Sequence, residues 1–130
     1  MSSIPEGLRY TQSHEWIRDE GDGVVAVGIT DFAQSQLGDI VFVEVPQSAA
    51  DVTAGEVVGV VESVKAASDL YSPVTGTIEA SNGELETGPE RVNEDPYAAW
   101  FVKVRLADPS QLNDLLSAAA YAELLPADQR

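Results

Sequence analysis

Turn residues cut this chain into short apolar runs. Most of the runs show the period-two alternation or the β-branched clustering of strands. Residues 10–18 mix aromatic and polar side chains as a short strand does. Residues 19–23, DEGDG, read as a turn by their glycine and acid content, and residues 24–29 as the next strand. Residues 39–45 alternate, with Ile40, Phe42 and Glu44 on one face and Val41, Val43 and Val45 on the other, until Pro46 stops them. Residues 47–55 are small and polar, a connecting loop. Strands follow around 56–62, 67–71 and 74–80. Residues 81–99 contain Gly83, Gly88, Pro89 and Pro96 and read as loop. From Trp100 onward the alternation is clean, placing Trp100, Val102, Val104 and Leu106 inside and Lys103 and Arg105 outside.

Helical spacing is confined to short pieces. Thr30 or Asp31 caps a helix that runs to Leu37, with Phe32, Ala33 and Leu37 as its inner face and Gly38 in the left-handed position that ends it. Asp108 and Pro109 open a second, as N-cap and first helical residue, and Leu112, Leu115 and Leu116 give it an apolar stripe. A further piece covers 117–125 with Tyr121, Leu124 and Leu125. Residues 1–9, broken by Pro5 and Gly7, are a loosely held lead-in. Many short strands with helices appended at the end predict a mainly β chain of one domain, residues 1–130, folded as an antiparallel β-sandwich or flattened barrel.

Composition narrows the function. Acidic residues outnumber basic ones 22 to 7, for a net charge of −15, a surface that repels nucleic-acid phosphates and suits electropositive sites on protein partners. A solvated acidic surface with no specific partner is the plainer alternative. The chain has no cysteine, which removes disulfides, thiolate nucleophiles and sulfur-ligated metals, so redox chemistry has to arrive with a cofactor. His14 is the single histidine, too few for a histidine-based zinc site. No apolar run reaches the roughly 18 residues of a membrane span. The start, MSSIPEGLRY, has neither a signal nor a transit pattern, and the chain is expected to be a complete cytoplasmic product.

Of the two lysines, Lys103 is explained as the solvent-facing residue of a strand and Lys65 is not. Lys65 lies between the runs GEVVGVV and PVTGTI, at the tip of a predicted hairpin. An exposed turn lysine is usually no more than a solubilising residue. An amine held out by a stiff sheet, with Ala66 and Ala67 leaving room for a modifying enzyme, also suits a covalently carried cofactor; acylation would remove its charge. Glu62 and Asp69 sit near the tip on opposite strands, either to orient a modifying enzyme or a cation, or as edge charges that deter aggregation. His14 and Glu15 are not read as an acid–base couple, because strand neighbours face opposite ways. Trp16 and Trp100 read as core or cleft-wall residues. No phosphate loop and no nucleophile motif is present, so the chain is not expected to be an enzyme.

Six motifs then occur in order: SHEW from Ser13, GITDFAQ from Gly28, LGDIVFVEVP from Leu37, ESVKA from Glu62, YSPVTG from Tyr71 and VNEDPY from Val92. Together they resemble the H-proteins of the glycine cleavage system over residues 8–125. The resemblance implies the lipoyl/biotinyl-carrier type of antiparallel β-sandwich, with a short internal helix, a helical extension at about 108–125, and a modified lysine at a hairpin tip. It implies a carrier without catalysis of its own, holding lipoate in amide linkage on Lys65 after action of a lipoate-attaching enzyme. Its partners would be glycine decarboxylase (P-protein), which loads an aminomethyl group, the tetrahydrofolate-dependent aminomethyltransferase (T-protein), which takes the one-carbon unit, and dihydrolipoyl dehydrogenase (L-protein), which reoxidises the dithiol. Such a carrier is expected to be monomeric and to bind transiently.

The resemblance also gives Ser13, Glu15 and Asp69 a role, lining a cleft into which the cationic end of the loaded arm folds, with Glu62 supporting the lysine. Carboxylates there would hold an ammonium group by charge-assisted hydrogen bonds. The chain departs from the family pattern where Pro96, Tyr97, Ala98, Ala99 and Trp100 replace a longer, glycine-containing loop, and where Arg91 replaces an apolar residue. Four alternatives remain: a biotin carrier, against which Val64 and Ala66 stand in place of methionines; a lipoyl domain of a 2-oxoacid dehydrogenase, whose linker is missing; an H-like relay protein donating lipoyl groups to other enzymes; and an unmodified structural paralogue.

Overall fold

The structure, a computed structural model, describes residues 2–46 and 49–129. Gln47 and Ser48 of the expected 47–55 loop, and Met1 and Arg130 at the ends of the expected domain, lie outside the described residues. In chain order the elements are β1 (Arg9–Tyr10), β2 (Glu15–Gly21), β3 (Val24–Ile29), α1 (Asp31–Leu37), β4 (Ile40–Glu44), β5 (Asp51–Val52), β6 (Val57–Ser63), β7 (Ala67–Tyr71), β8 (Gly76–Ser81), α2 (Glu84–Thr87), α3 (Arg91–Glu94) and β9 (Val102–Leu106). A 3-10 helix Pro109–Asp114, α4 (Ala118–Ala122) and a 3-10 turn Ala127–Gln129 close the chain.

The strands form two antiparallel sheets, one ordered β1-β2-β3-β9-β8-β5 and the other β4-β6-β7. Ile17, Val25, Val27, Ile78, Val102 and Val104 of the larger sheet meet Ile40, Val43, Val61 and Leu70 of the smaller one in a shared core. Each fully buried side chain of this kind contributes about 1.5–3 kcal/mol by removal from water. This is the mainly β sandwich expected from the strand pattern. Among the described residues no helix is long and apolar enough to cross a membrane.

At β1–β3 the larger sheet is covered on its outer face as well. Tyr10, Trp16 and Ala26 alternate with the inward residues of their strands and pack under Tyr121 and Leu125 of the C-terminal segment, with Ile4 and Leu8 beside them. Trp16 lies so close to Gly28 that a Cβ there would stand 2.6 Å from the indole ring. The indole N–H donates to the Pro96 carbonyl at 3.0 Å. Trp100 is half-buried, with the Lys103 ammonium 4.8 Å from its ring centre, so it ends the predicted inside row less deeply than Val102 and Val104.

Several elements differ from the sequence-based expectations, each for a local reason. The 10–18 strand is split by a turn in which His14 has φ 71°. β2 runs on to Gly21, and the hairpin closes through Asp22 and Gly23, both with positive φ, the two-residue turn that matches strand twist. In β4 a register shift between Ile40 and Phe42 breaks the alternation, so Ile40 and Val43 are buried while Val41 and Phe42 are exposed. Residues 81–99 hold α2 and α3 rather than loop alone. Asp108 does cap the segment after β9, accepting from the Ser110 amide, but that segment winds as a 3-10 helix. The lead-in is pinned rather than loose: the Ser2 amide donates to the Gln129 carbonyl and the Ser3 amide to Asp31.

Candidate functional site

The tip of the β6–β7 hairpin is Val64 and Lys65, between Ser63 and Ala66. Neither tip residue takes a positive φ, so this is not a glycine-type hairpin turn. The Ser63 hydroxyl oxygen organises it, accepting from the Lys65 and Ala66 amides at 3.1 Å each, while the Ser63 amide donates to the Ala66 carbonyl at 2.7 Å. The Val64 amide donates to the Asp39 carbonyl, which ties the tip to the start of β4. Beneath it, Asn93 of α3 accepts from the Ile40 amide and donates to the Gly38 carbonyl and to Gln34.

Lys65 is exposed, and among the described residues it makes no ion pair. Its stem crosses Gly38, the residue that ends α1: a Cβ there would stand 3.0 Å from the lysine Cε. Thr30 caps the start of the same helix, accepting from the Ala33 amide. Gly38 adjoins Leu37, and Leu37 lines a groove of about 240 Å³ together with Ser13, His14, Phe32, Ala33, Gln36 and Ser68. The lysine stem therefore lies over the residue that follows Leu37, which lines a groove between α1, the 11–14 turn and β7. The groove is largely apolar along α1 and carries hydroxyls at Ser13 and Ser68.

Glu15 lies behind this wall and is buried. Its carboxylate accepts from the Thr11 and Ser13 hydroxyls at 2.6 and 2.7 Å, and from the Tyr71 amide of β7. Burial raises its pKa, and the three hydrogen bonds oppose that rise. Of the residues singled out in the sequence, the structure thus brings Ser13 and Glu15 together and joins them to β7. Asp69 and Glu62 are exposed. Asp69 pairs with Val60 and Glu62 with Ala67, so strand alternation sets both on the face of the small sheet opposite Val61 and Leu70.

Four partners went unremarked in the sequence: Thr11, Ser63, Tyr71 and Asn93. Thr11 had a visible signal, the i, i+2, i+4 spacing of Thr11, Ser13 and Glu15. His14, discounted as a catalytic group, has a structural role. Its Nδ1 lies 2.8 Å from the Tyr121 hydroxyl, which lies 2.7 Å from the Thr30 hydroxyl. Burial pushes the Tyr121 phenol up to about 12 and lowers the His14 pKa. The 96–100 loop needs no glycine, because Ala98 and Ala99 both donate to the Asp95 carbonyl without positive φ. Arg91 opens α3 at the surface, 3.7 Å from Glu84.

The glycine cleavage H-protein family profile matches residues 8–128. The glycine cleavage system H protein of Chromohalobacter salexigens is 55% identical over 130 residues, 99% of each chain. That of Burkholderia vietnamiensis is 56% identical over 125 residues, covering 96% of this chain and 99% of its own. Among solved structures, the glycine cleavage system H protein of Mycobacterium marinum superposes with a TM-score of 0.83 at 40% identity, covering 92% of this chain and 97% of that one. With nearly the whole chain matched and the same sandwich in a solved relative, this chain belongs to the glycine cleavage H-protein family.

Proposed function

We propose that this chain is the lipoyl-carrying shuttle of glycine cleavage, with lipoate in amide linkage on the Lys65 Nζ. The observation that carries the reading is the unpaired Lys65 amine on a braced tip, its stem packed over Gly38, which adjoins Leu37 of a groove of about 240 Å³. The residues fit the group. A flexible apolar arm finds Phe32, Ala33 and Leu37 along α1, and a polar end finds Ser13 and Ser68. When attached, the group would supply a disulfide/dithiol couple able to carry an aminomethyl unit on sulfur, the redox sulfur that the cysteine-free chain lacks.

The chain's own residues do the rest. Ser63 and Asn93 hold the tip so that Lys65 can enter the active sites of glycine decarboxylase, the aminomethyltransferase and dihydrolipoyl dehydrogenase in turn, and that of a lipoate-attaching enzyme before them. Ser13, backed by the buried Glu15 carboxylate to which it donates, forms the part of the groove where a cationic aminomethyl terminus is held away from water. Glu62 and Asp69, on the outer face beside the tip, serve recognition by the partner enzymes rather than the groove. The chemistry belongs to the partners, and this chain carries.

Intact-mass measurement of the protein treated with lipoate, ATP and a lipoate-protein ligase tests the reading. One lipoyl adduct is expected on the native chain and none on Lys65→Arg, with the circular-dichroism spectrum unchanged. Glycine–CO₂ exchange with glycine decarboxylase should then require the adduct. An adduct that survives in Lys65→Arg overturns the assignment of the site. A lipoylated chain that supports no exchange but donates its lipoyl group to other proteins favours the relay role instead.

A further inference from the structure

The two walls of the groove come from different parts of the chain. One is the 11–14 turn and the other is α1, and a single hydroxyl spans them. Tyr121, 0% exposed, sits on α4 beyond the last strand. Its hydroxyl contacts the His14 Nδ1 at 2.8 Å on the first wall and the Thr30 Oγ1 at 2.7 Å on the second. Thr30 is the N-cap of α1, and its backbone amide donates to the His14 carbonyl at 3.0 Å. His14 has φ 71°, a left-handed conformation unfavourable for a residue with a Cβ, so the turn needs outside contacts to persist. Besides the hydrogen bonds these include the Phe32 ring, 5.0 Å away, and the edge-on Tyr121 ring at 5.7 Å. Ser13 and Glu15 flank His14 on either side.

We propose that Tyr121 is a positioning residue for the carrier step: by holding His14 and Thr30 at once it sets the spacing of the groove walls and the placement of Ser13 and Glu15, and thereby the protection of the loaded arm. The proposal rests on the reading that the groove receives that arm. It gives the C-terminal helix a task beyond covering Trp16. Loss of the hydroxyl leaves the ring in place, because Tyr121 stacks on Tyr10 at 4.8 Å with the planes 9° apart. Tyr121→Phe is therefore a variant in which the body of the fold persists and the side-chain bridge between the walls is gone, with only the Thr30 amide–His14 carbonyl bond left to join them.

The experiment uses full-length lipoylated protein, loaded with the aminomethyl group by glycine and glycine decarboxylase. It follows release of the one-carbon unit to water in the absence of the aminomethyltransferase. Tyr121→Phe, which loses the contacts to both His14 and Thr30, should release it at least about fivefold faster, the factor that one hydrogen bond's net worth represents, while the rate of lipoylation at Lys65 is unchanged. His14→Asn, which keeps access to the left-handed conformation but loses only the first of these contacts, should release it faster than the native chain and no faster than Tyr121→Phe. The double variant should be no faster than Tyr121→Phe alone, as expected where the one hydroxyl carries both contacts. A purely structural role would lower the melting temperature without this selective, non-additive loss. Glu15→Ala is the control for the groove itself. If Glu15→Ala speeds release and Tyr121→Phe does not, the positioning role is overturned; if neither does, the arm does not rest in the groove and both readings fall. Should Tyr121→Phe be unfolded at the assay temperature, the comparison of His14→Asn with Glu15→Ala decides by the same criterion.

Discussion

The two sheets of this sandwich share a core but treat their outer faces differently. The six-stranded sheet buries both over β1–β3, where Ile17, Val25 and Val27 face the core and Trp16 and Ala26 lie under Tyr121 and Leu125, and leaves Glu79 and Arg105 of β8 and β9 exposed on its outer face. The three-stranded sheet buries one face only. Val41, Phe42, Val57, Val64 and Tyr71, all exposed large hydrophobics, belong to it or to its tip, and Glu44, Glu62 and Asp69 are exposed among them. The outer face of the small sheet is thus left to solvent.

The contrast fails if substitutions in the two sheets cost the same. Ile78→Ala, in β8 at 1% exposure, should lower unfolding stability by about 2–5 kcal/mol, because the surroundings do not fill the cavity it leaves. Phe42→Ser, on the exposed side of β4 at 43% exposure, should change it by no more than about 0.5 kcal/mol. Urea unfolding of the unmodified protein measures both. A Phe42→Ser loss equal to that of Ile78→Ala would mean that the small sheet is part of the stabilising core on both faces.

The tip should give a smaller and more local effect. Ser63→Ala removes the acceptor shared by the Lys65 and Ala66 amides. The loss is expected near 1 kcal/mol or below, since both amides are exposed to water that replaces the oxygen. Hydrogen exchange should quicken at Lys65 and Ala66 while the amides of β3 and β9 stay protected. Unchanged exchange at the tip would show that the Ser63 amide and its Ala66 carbonyl partner alone keep the turn closed.

The unequal legibility of the sequence follows the same division. β3 and β6 stood out because β-branched runs and turn residues are local signals. The helix to Leu37, with its Thr30 cap, was legible from side-chain chemistry within a few positions. The exposed hairpin tip that carries Lys65 was legible from the strand-like runs on either side of it. What the sequence did not show depends on distant or aperiodic partners. α2 and α3 are four residues each, too short to show a period, and lie among glycines and prolines that read as loop. The shift in β4 depends on its pairing with β6 and leaves no mark in LGDIVFVEVP. Tyr121 touches His14 across 107 positions, so nothing near either residue announces the contact. The pairing register of β6 with β7, which sets Asp69 and Glu62 on the face of the small sheet opposite Val61 and Leu70, was likewise not visible in the sequence.

Glu15 is the joint between the sheets, since it belongs to β2 and accepts from the Tyr71 amide of β7. It carries the faintest expected effect, a slope with pH rather than a drop. Burial raises its pKa above the ordinary carboxylate value despite the hydrogen bonds from Thr11, Ser13 and Tyr71. The folded chain therefore holds this proton to higher pH than the unfolded chain does. The group's contribution to stability is fully present below the ordinary value and is lost as pH rises through the raised, folded one. Glu15→Gln abolishes the titration while keeping the shape of the side chain. The melting temperature of the variant relative to the native chain should rise as pH climbs from about 4 through that raised value, and then level off. A difference that stays flat or falls would mean that the three donors already stabilise the ionised form as well as water does. A rise would mean that the unloaded chain keeps a buried carboxylate at a cost, which the cationic end of a loaded arm would offset once it reached the groove.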